Sequence, residues 1–315
     1  MLSSTAVQPS TAIRSFQDLR HRAQLLGPKR VAIVVADDEV ALLASAGAVQ
    51  LGIAIPVLVG NEQKIRSEIE KFRLHSLLDR AIFVDAPDSA SAANAAAQMA
   101  RDGQVDILLK GHLRTDELLR AVLDKQNGLR TGRLLSDVLL YEDSTSGERR
   151  IIAITDGGLN VAPTLDQKKQ IIENAVIALH SLGFTRPKIA LMSATEAVTE
   201  SLPSTVEALQ LTELAATGAF GECEVYGPLA LDNALLESAA RAKNITSPVA
   251  GYADCMVVPN IESGNLLGKA VKYLGGSQCA HVIVGARVPV LIPSRVESVD
   301  DKLNSVAFGV IAHVG

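Results

Sequence analysis

Short runs of Val, Ile and Leu alternate with longer stretches of helix-forming composition, and no other feature of the chain narrows its fold as far. Arg30 to Ala36, Pro56 to Val59, Ala81 to Val84 and Val105 to Leu109 read as strands, apolar enough to be parallel and covered on both faces. Between them Asp38 to Leu51, Asn61 to Leu78 and Asp88 to Arg101 read as helices, with Asn61 and Asp88 placed as N-caps. A second series follows the polar stretch Glu142 to Glu148. Its strands are expected at Ile151 to Thr155, Lys188 to Met192, Cys223 to Tyr226, Asp254 to Val258 and His281 to Val284. Its helices are expected at Asp166 to Leu182, Ser204 to Thr217, Asp232 to Lys243 and Asn265 to Leu274, with prolines at the turns. A last strand, Val290 to Pro293, precedes a helix from about Ser298 to His313. Repeated βα winding predicts an α/β fold with mainly parallel sheets. The 315 residues exceed one ordinary core, so two domains are expected, divided at the polar stretch.

Composition removes several function classes. A net charge of −5, no Trp and 3% aromatic residues leave neither a basic footprint nor stacking platforms for nucleic acid. No apolar run reaches the roughly 18 residues of a membrane span. Met1 to Ser10 lacks the basic and apolar regions of a secretory signal and reads as a frayed start, so a soluble, cytoplasmic protein is expected. Cys223, Cys255 and Cys279 are odd in number and without C-x-x-C spacing, as free thiols in a reducing compartment would be. The histidines show no metal-binding spacing, and no serine sits in a G-x-S-x-G elbow. Gly264 to Ala270 falls short of a phosphate loop: three residues separate its glycines, and Ala270 stands where Ser or Thr would hold magnesium.

In α/β sheets ligands gather beyond the carboxyl ends of strands. Five predicted strand ends are polar or glycine-rich: Lys110-Gly111-His112, Asp156 to Asn160, Ser193 to Glu196, Pro259-Asn260 leading to Gly264-Asn265, and Ser294-Arg295. Turn geometry and capping account for any one alone; their recurrence along one edge is the signal. Gly264 and Asn265 are read as opening a helix whose N–H groups can approach an anion, or as a plain first turn. Lys110, Arg114, Arg120, Lys125, Arg130 and Arg133 outnumber Asp116, Glu117 and Asp124 in their segment. Such a segment either gathers an anionic ligand or is a solvated helix face.

Val105 to His112, Gly128 to Arg133, Ile154 to Pro163, Gly227 to Ala234, Ala250 to Asp254, Pro259 to Asn265 with Lys269, and Gly285 to Arg295 follow one another in an order and spacing that resemble the phosphate acetyl/butyryltransferase family, its butyryl branch more closely. The resemblance runs from about Lys29 to Ala312. It implies a two-domain subunit similar to isocitrate and isopropylmalate dehydrogenases, with the active-site cleft between domains. Residues 1–141 completed by 288–315 would form one domain and 142–287 the other. It further implies a homodimer that exchanges a short acyl group between coenzyme A and phosphate by direct thiol attack, with CoA as substrate and no bound cofactor or metal. Gly268, Asp137 and Pro293 depart from the family's usual residues, which leaves acyl-chain preference open.

The resemblance implies residue roles as well. Arg295 would bind phosphate, which suits the planar fork of a guanidinium. Ser294 would donate to the oxyanion of the tetrahedral intermediate, or else serve as a cap. Arg120 matches the family's second anion-binding arginine. Lys110 and His112, with Arg133, Asp156, Asn160, Gly264, Asn265 and Lys269, would line the substrate pocket. Asp301 would take the thiol proton, yet an ordinary aspartate near ~3.9 facing a thiol near ~8.5 makes that transfer uphill by roughly 6 kcal/mol. Ser298 to Asp301 also fits an imperfect capping box, in which Asp301 stays an anion at the helix start. Both readings of Asp301 stand at this point. Two other functions fit the same architecture: an NAD-dependent dehydrogenase and a non-catalytic metabolite-binding module.

Overall fold

The computed structural model describes residues 12–145, 147–294 and 297–314. The Met1 to Ser10 segment and Arg295 lie outside the described residues. The first half runs α1 (Phe16–Leu26), β1 (Lys29–Val34), α2 (Glu39–Gln50), β2 (Ala54–Gly60), α3 (Glu62–Lys71), α4 (Ser76–Arg80), β3 (Ile82–Asp85), α5 (Ser89–Arg101), β4 (Ile107–Lys110) and α6 (Thr115–Val122). Then come β5 (Ser136–Asp143), β6 (Arg150–Thr155), α7 (Leu165–Ser181), β7 (Lys188–Met192), α8 (Pro203–Ala215), β8 (Glu224–Leu229), α9 (Leu231–Leu235), α10 (Glu237–Ala242) and β9 (Cys255–Val257). The chain ends with α11 (Ile261–Lys269), a π-helical turn (Ala270–Leu274), β10 (Cys279–Val284), β11 (Val290–Leu291) and α12 (Val299–Val314).

Among the described residues eleven strands join one sheet in the order β3-β2-β1-β4-β11-β10-β5-β6-β9-β7-β8. β3, β2, β1, β4 and β11 are mutually parallel, as are β6, β9, β7 and β8. At the centre, β11, β10, β5 and β6 pair antiparallel. The sheet is therefore mainly parallel, as expected, but with an antiparallel middle that the apolar runs do not announce.

Several expectations need correction. Glu142 and Asp143 do not start a linker; they finish β5 and pair with Ile151 and Arg150 of β6, so the polar stretch is a hairpin turn. β5 is absent from the apolar pattern because Ser136, Asp137, Tyr141, Glu142 and Asp143 interrupt it. The helix expected over Asn61 to Leu78 divides into α3 and α4 where Arg73 takes a φ of 57°. Asp232 to Lys243 divides at Leu236, which is extended. α11 starts at Ile261, because Asn260 accepts the N–H of Ser263 at 3.0 Å and so caps it. Gly264 and Asn265 therefore lie inside the helix rather than opening it.

α12 runs from the second half of the chain back to the first. It packs on α1, α2 and β10, and Asp301 through Ile311 are all buried. Arg20 of α1 reaches Asp300 at 2.7 Å and Asn304 at 2.7 Å. Asp38 caps α2 through the N–H of Ala41 at 2.7 Å and also holds the buried Lys302 ammonium at 2.9 Å. Those ties fix the start of α12 against the sheet centre, where the cleft lies.

Candidate active site

A cleft of about 570 Å³ opens over the antiparallel centre of the sheet. Asp137 and Leu139 of β5, Ile154 of β6, and Cys279 and His281 of β10 line it, together with residues beyond β4, β6 and β11. Alternate side chains of a strand share a face, and the register places Ile154 of β6, Leu139 of β5 and His281 of β10 side by side on that face.

Lys110 ends β4 on the cleft wall and is only 5% exposed. Gly111 follows it under a steric demand, since a Cβ there would stand 2.3 Å from the carbonyl oxygen of Val35. The chain then turns into α6, whose start places Arg114, Thr115 and Asp116 at the cleft; Arg114 donates to Asp116 at 2.8 Å and to Glu117 through its N–H at 3.0 Å.

Opposite, the loop after β6 meets α11. A Cβ on Gly157 would stand 2.8 Å from the carbonyl carbon of Gly264, and one on Gly264 would stand 2.7 Å from Gly157 Cα. Only mutual absence of side chains permits this approach. Gly157, Gly158, Gly264, Asn265, Gly268 and Lys269 form that wall. Asp156 lies behind it, accepting the N–H groups of Gly158 (2.8 Å) and Leu159 (2.9 Å) and the amide of Asn160 (2.6 Å). Burial, with the nearby charge of Asp137, raises the Asp156 carboxyl above its ordinary pKa despite those bonds. Asn160 also donates to the carbonyl of Leu135 at 2.9 Å. Asp156 and Asn160 thus brace the loop and do not line the cleft.

The floor carries a charged chain the sequence did not reveal. His281 Nδ1 stands 3.3 Å from Asp137 Oδ1, and its Nε2 stands 3.7 Å from Glu297 Oε1. Burial alone would lower the imidazole pKa, but the two flanking carboxylates prevail and bring it to about 9, so His281 is cationic at neutral pH. Glu297 is itself raised, by burial above all, against the offsetting charge of His281. Its Oε1 accepts the N–H of Ser294 at 2.8 Å, tying the acid to the expected oxyanion donor. Cys279, also at the cleft, has its thiol pushed up to about 12 by burial and is a poor nucleophile at neutral pH.

Ser294, Lys110, Gly264, Asn265 and Lys269, all singled out in the sequence, line the cleft. Asp301 does not: it is 0% exposed beneath the wall. Its Oδ2 accepts from the Lys272 ammonium, from Ser298 Oγ at 2.5 Å and from Ser298 N–H at 3.1 Å; its Oδ1 accepts the N–H of Cys279 at 2.9 Å. The Asp301 N–H returns a bond to Ser298 Oγ at 3.2 Å, closing a capping box. Burial would raise this carboxyl, but Lys272, Ser298 and the Cys279 N–H together hold it below the ordinary aspartate value. The capping box expected over Ser298 to Asp301 is thus formed, and Asp301 stands behind Lys272 and Cys279 of the cleft.

Three further expectations are displaced. Arg120 is 76% exposed and pairs with Asp116 at 3.6 Å, in the manner of a solvated helix face. His112 faces Asp37 at 3.5 Å away from the cleft. Arg133 faces Glu173 at 3.6 Å and borders a separate pocket with Arg130 and Asn160. Conversely, all three positions that depart from the family pattern, Asp137, Gly268 and Pro293, line the cleft.

Comparison with known proteins yields one consistent picture. The family model described as "Phosphate acetyl/butaryl transferase" matches residues 80–310. A phosphate acetyltransferase from Rickettsia prowazekii (strain Madrid E) is 39% identical over 295 residues, covering 93% of this chain and 83% of the relative. A phosphate butyryltransferase from Clostridium beijerinckii is 37% identical over 298 residues, covering 95% and 97%. The crystal structure of a branched-chain phosphotransacylase from Enterococcus faecalis V583 superposes with a TM-score of 0.80 at 31% identity, covering 90% of this chain and 99% of that one.

Proposed function

We propose, for a chain that belongs to the phosphate acetyl/butyryl transferase family, that it exchanges a short acyl group between coenzyme A and phosphate in the central cleft: acyl-CoA + phosphate = acyl phosphate + CoA. The observation that carries this reading is a cleft set with Lys110, Arg114, Lys269 and Lys272 around Ser294. Acyl phosphate and CoA are both anions, and cations around the point of encounter offset their repulsion. Arg295 is proposed on its motif alone as the bidentate phosphate ligand, and Ser294 as the donor to the oxyanion. The raised thiol of Cys279 favours direct attack by CoA over an acyl-cysteine intermediate.

Two domains flanking the cleft belong to the same proposal, residues 288–315 completing the first. The division placed at residue 142 moves to the segment before β5, since β5 pairs with β6 and β10. A cytoplasmic homodimer is also proposed. Leu266, Tyr273 and Leu274 stand exposed on and beside α11, an apolar surface suited to association. No described helix is long and apolar enough to cross a membrane.

The purified protein is expected to form thioester, followed by its absorbance, from CoA and acetyl-, propionyl- or butyryl-phosphate with no added metal or nicotinamide. No thioester from any of the three would overturn the activity. Light scattering is expected to give twice the 33.2 kDa chain mass, and a 33.2 kDa particle at micromolar concentration would overturn the dimer.

A further inference from the structure

We infer that Gly268 sets the acyl-chain preference of the cleft: by carrying no side chain it leaves an apolar bay over Leu139 and Ile154 that takes a chain of three or four carbons ahead of acetyl. The assignment rests on the activity proposed above and narrows its substrate class.

Gly264 and Gly268 stand one turn apart on the same face of α11, and both line the cleft. They are glycines for different reasons. A Cβ on Gly264 would collide with the Gly157 backbone and with Val258, so the close approach of two chain segments requires it. No such approach exists at Gly268. A Cβ there would meet a single atom within 4 Å, the Leu139 Cδ1 at 3.1 Å, which is the tip of a side chain and can rotate. The backbone at Gly268 is helical, a conformation any residue adopts, and glycine is the poorest helix former after proline. What glycine supplies at this position is space.

The space has the character of an acyl site. Leu139 of β5 and Ile154 of β6 pair side by side on the cleft floor and are only 7% and 1% exposed. Cys279 of β10 joins them at the cleft, its thiol kept neutral by burial. Cations surround this patch: Lys269 and Lys272 on the α11 side, Lys110 and Arg114 on the other. The apolar part of an acyl phosphate is its hydrocarbon chain, which the patch shields from water while the cations serve the phosphate. The bay is also close to the reacting carbon. His281 pairs with Leu139 across β10 and β5, its Nε2 stands 3.7 Å from Glu297 Oε1, and that oxygen accepts the Ser294 N–H at 2.8 Å. A chain whose carbonyl sits at Ser294 passes one imidazole to lie over Leu139.

The test compares kcat/KM for butyryl-phosphate and acetyl-phosphate, at saturating CoA, in the wild type and in Gly268→Leu. Burying a methylene is worth about fourfold, so the two that butyryl has beyond acetyl should favour it by about tenfold or more in the wild type. One added methyl would displace only the Leu139 tip, so leucine, a good helix former, is chosen to fill the bay. In Gly268→Leu the ratio is expected to fall at least about tenfold, whatever both substrates lose together. Should circular dichroism show this variant unfolded, Gly268→Met, whose unbranched side chain adapts to its surroundings, replaces it with the same expectation. A wild type that uses acetyl-phosphate as well as butyryl-phosphate, or better, overturns the assignment without recourse to the variants. So does a folded variant whose ratio stays within about threefold of wild type; a raised KM for CoA would then put the pantetheine arm in the bay instead. A wild type that forms no thioester from any acyl phosphate overturns the activity itself.

Discussion

Asp301→Asn is expected to lower the melting temperature by several degrees, and raising the pH towards the thiol value should not rescue whatever rate is lost. The carboxylate accepts four bonds, two of them from Ser298, one from the Lys272 ammonium and one from the Cys279 N–H, so both its oxygens are occupied behind residues that line the cleft. Asparagine supplies one acceptor oxygen where Asp301 uses two. Its amide would turn N–H groups towards Lys272 or Ser298, setting donor against donor. Loss of charge-assisted bonds at a buried position costs about 1.5–3 kcal/mol each, so a total of about 2–4 kcal/mol is expected after partial relaxation. The sign of the pH effect follows from the lowered pKa. Stabilisation by Asp301 is complete above the ordinary aspartate value of ~3.9 and is lost as the pH falls through the lower folded value. Thermal denaturation of the two proteins should therefore differ most near neutrality and converge in strong acid. A variant with wild-type stability whose rate is down about 100-fold and recovers near pH 8.5 would return Asp301 to the role of base.

The same residue shows how far the sequence could be read. Ser298 and Asp301 are local, so the capping box was visible in four letters; the partner Lys272 lies 29 positions away and was not. The strands whose apolar runs are unbroken, such as β1, β2, β4 and β7, were legible because burial on both faces leaves a continuous hydrophobic signature. β5 was not, because an antiparallel strand that floors a cleft carries Asp137 among its apolar residues. Missing β5 hid the site's central contact. Leu139 pairs with His281 across β5 and β10, so Asp137, two residues along the same face, becomes the diagonal neighbour of His281. Without the pairing, His281 is one histidine in an apolar strand. Glu297 is marked out only by contacts made in space, with the Ser294 N–H and with His281 of another strand. Of the strand-end motif residues, Lys110, Gly157, Gly158 and Ser294 line the cleft. Arg120, three-quarters exposed on α6, shows that a cluster of cations in sequence spreads around a helix in space.

Gly264→Ala is expected to reduce kcat/KM by about 100-fold or more, the scale of a misplacement near 1 Å in an active site. Gly264 sits in the middle of α11, where a helix-forming residue would ordinarily be preferred to glycine by about 0.8–1.0 kcal/mol. Contact across the cleft wall overrides that preference. An added methyl would stand 2.7 Å from Gly157 Cα, 2.7 Å from Val258 Cγ2 and 3.1 Å from the carbonyl oxygen of Asp156. Two of those three neighbours are backbone, so the loop itself must move. That loop is pinned from behind by Asp156, which holds the N–H groups of Gly158 and Leu159, and by Asn160, bonded to Leu135. Strain therefore passes either into those bonds or into α11, and with α11 go Asn265 and Lys269 on the cleft wall. Overpacking of this kind costs about 1–3 kcal/mol, so the variant should remain folded while its cleft is misshapen. Gly268→Ala, one turn later on the same helix, is the control. Its methyl would meet only the Leu139 side-chain tip at 3.1 Å, which can rotate away, and the helix gains a better former. Thioester kinetics and melting curves on the two variants decide the matter: equal, near-wild-type rates would show that the Gly157–Gly264 approach does not shape the site.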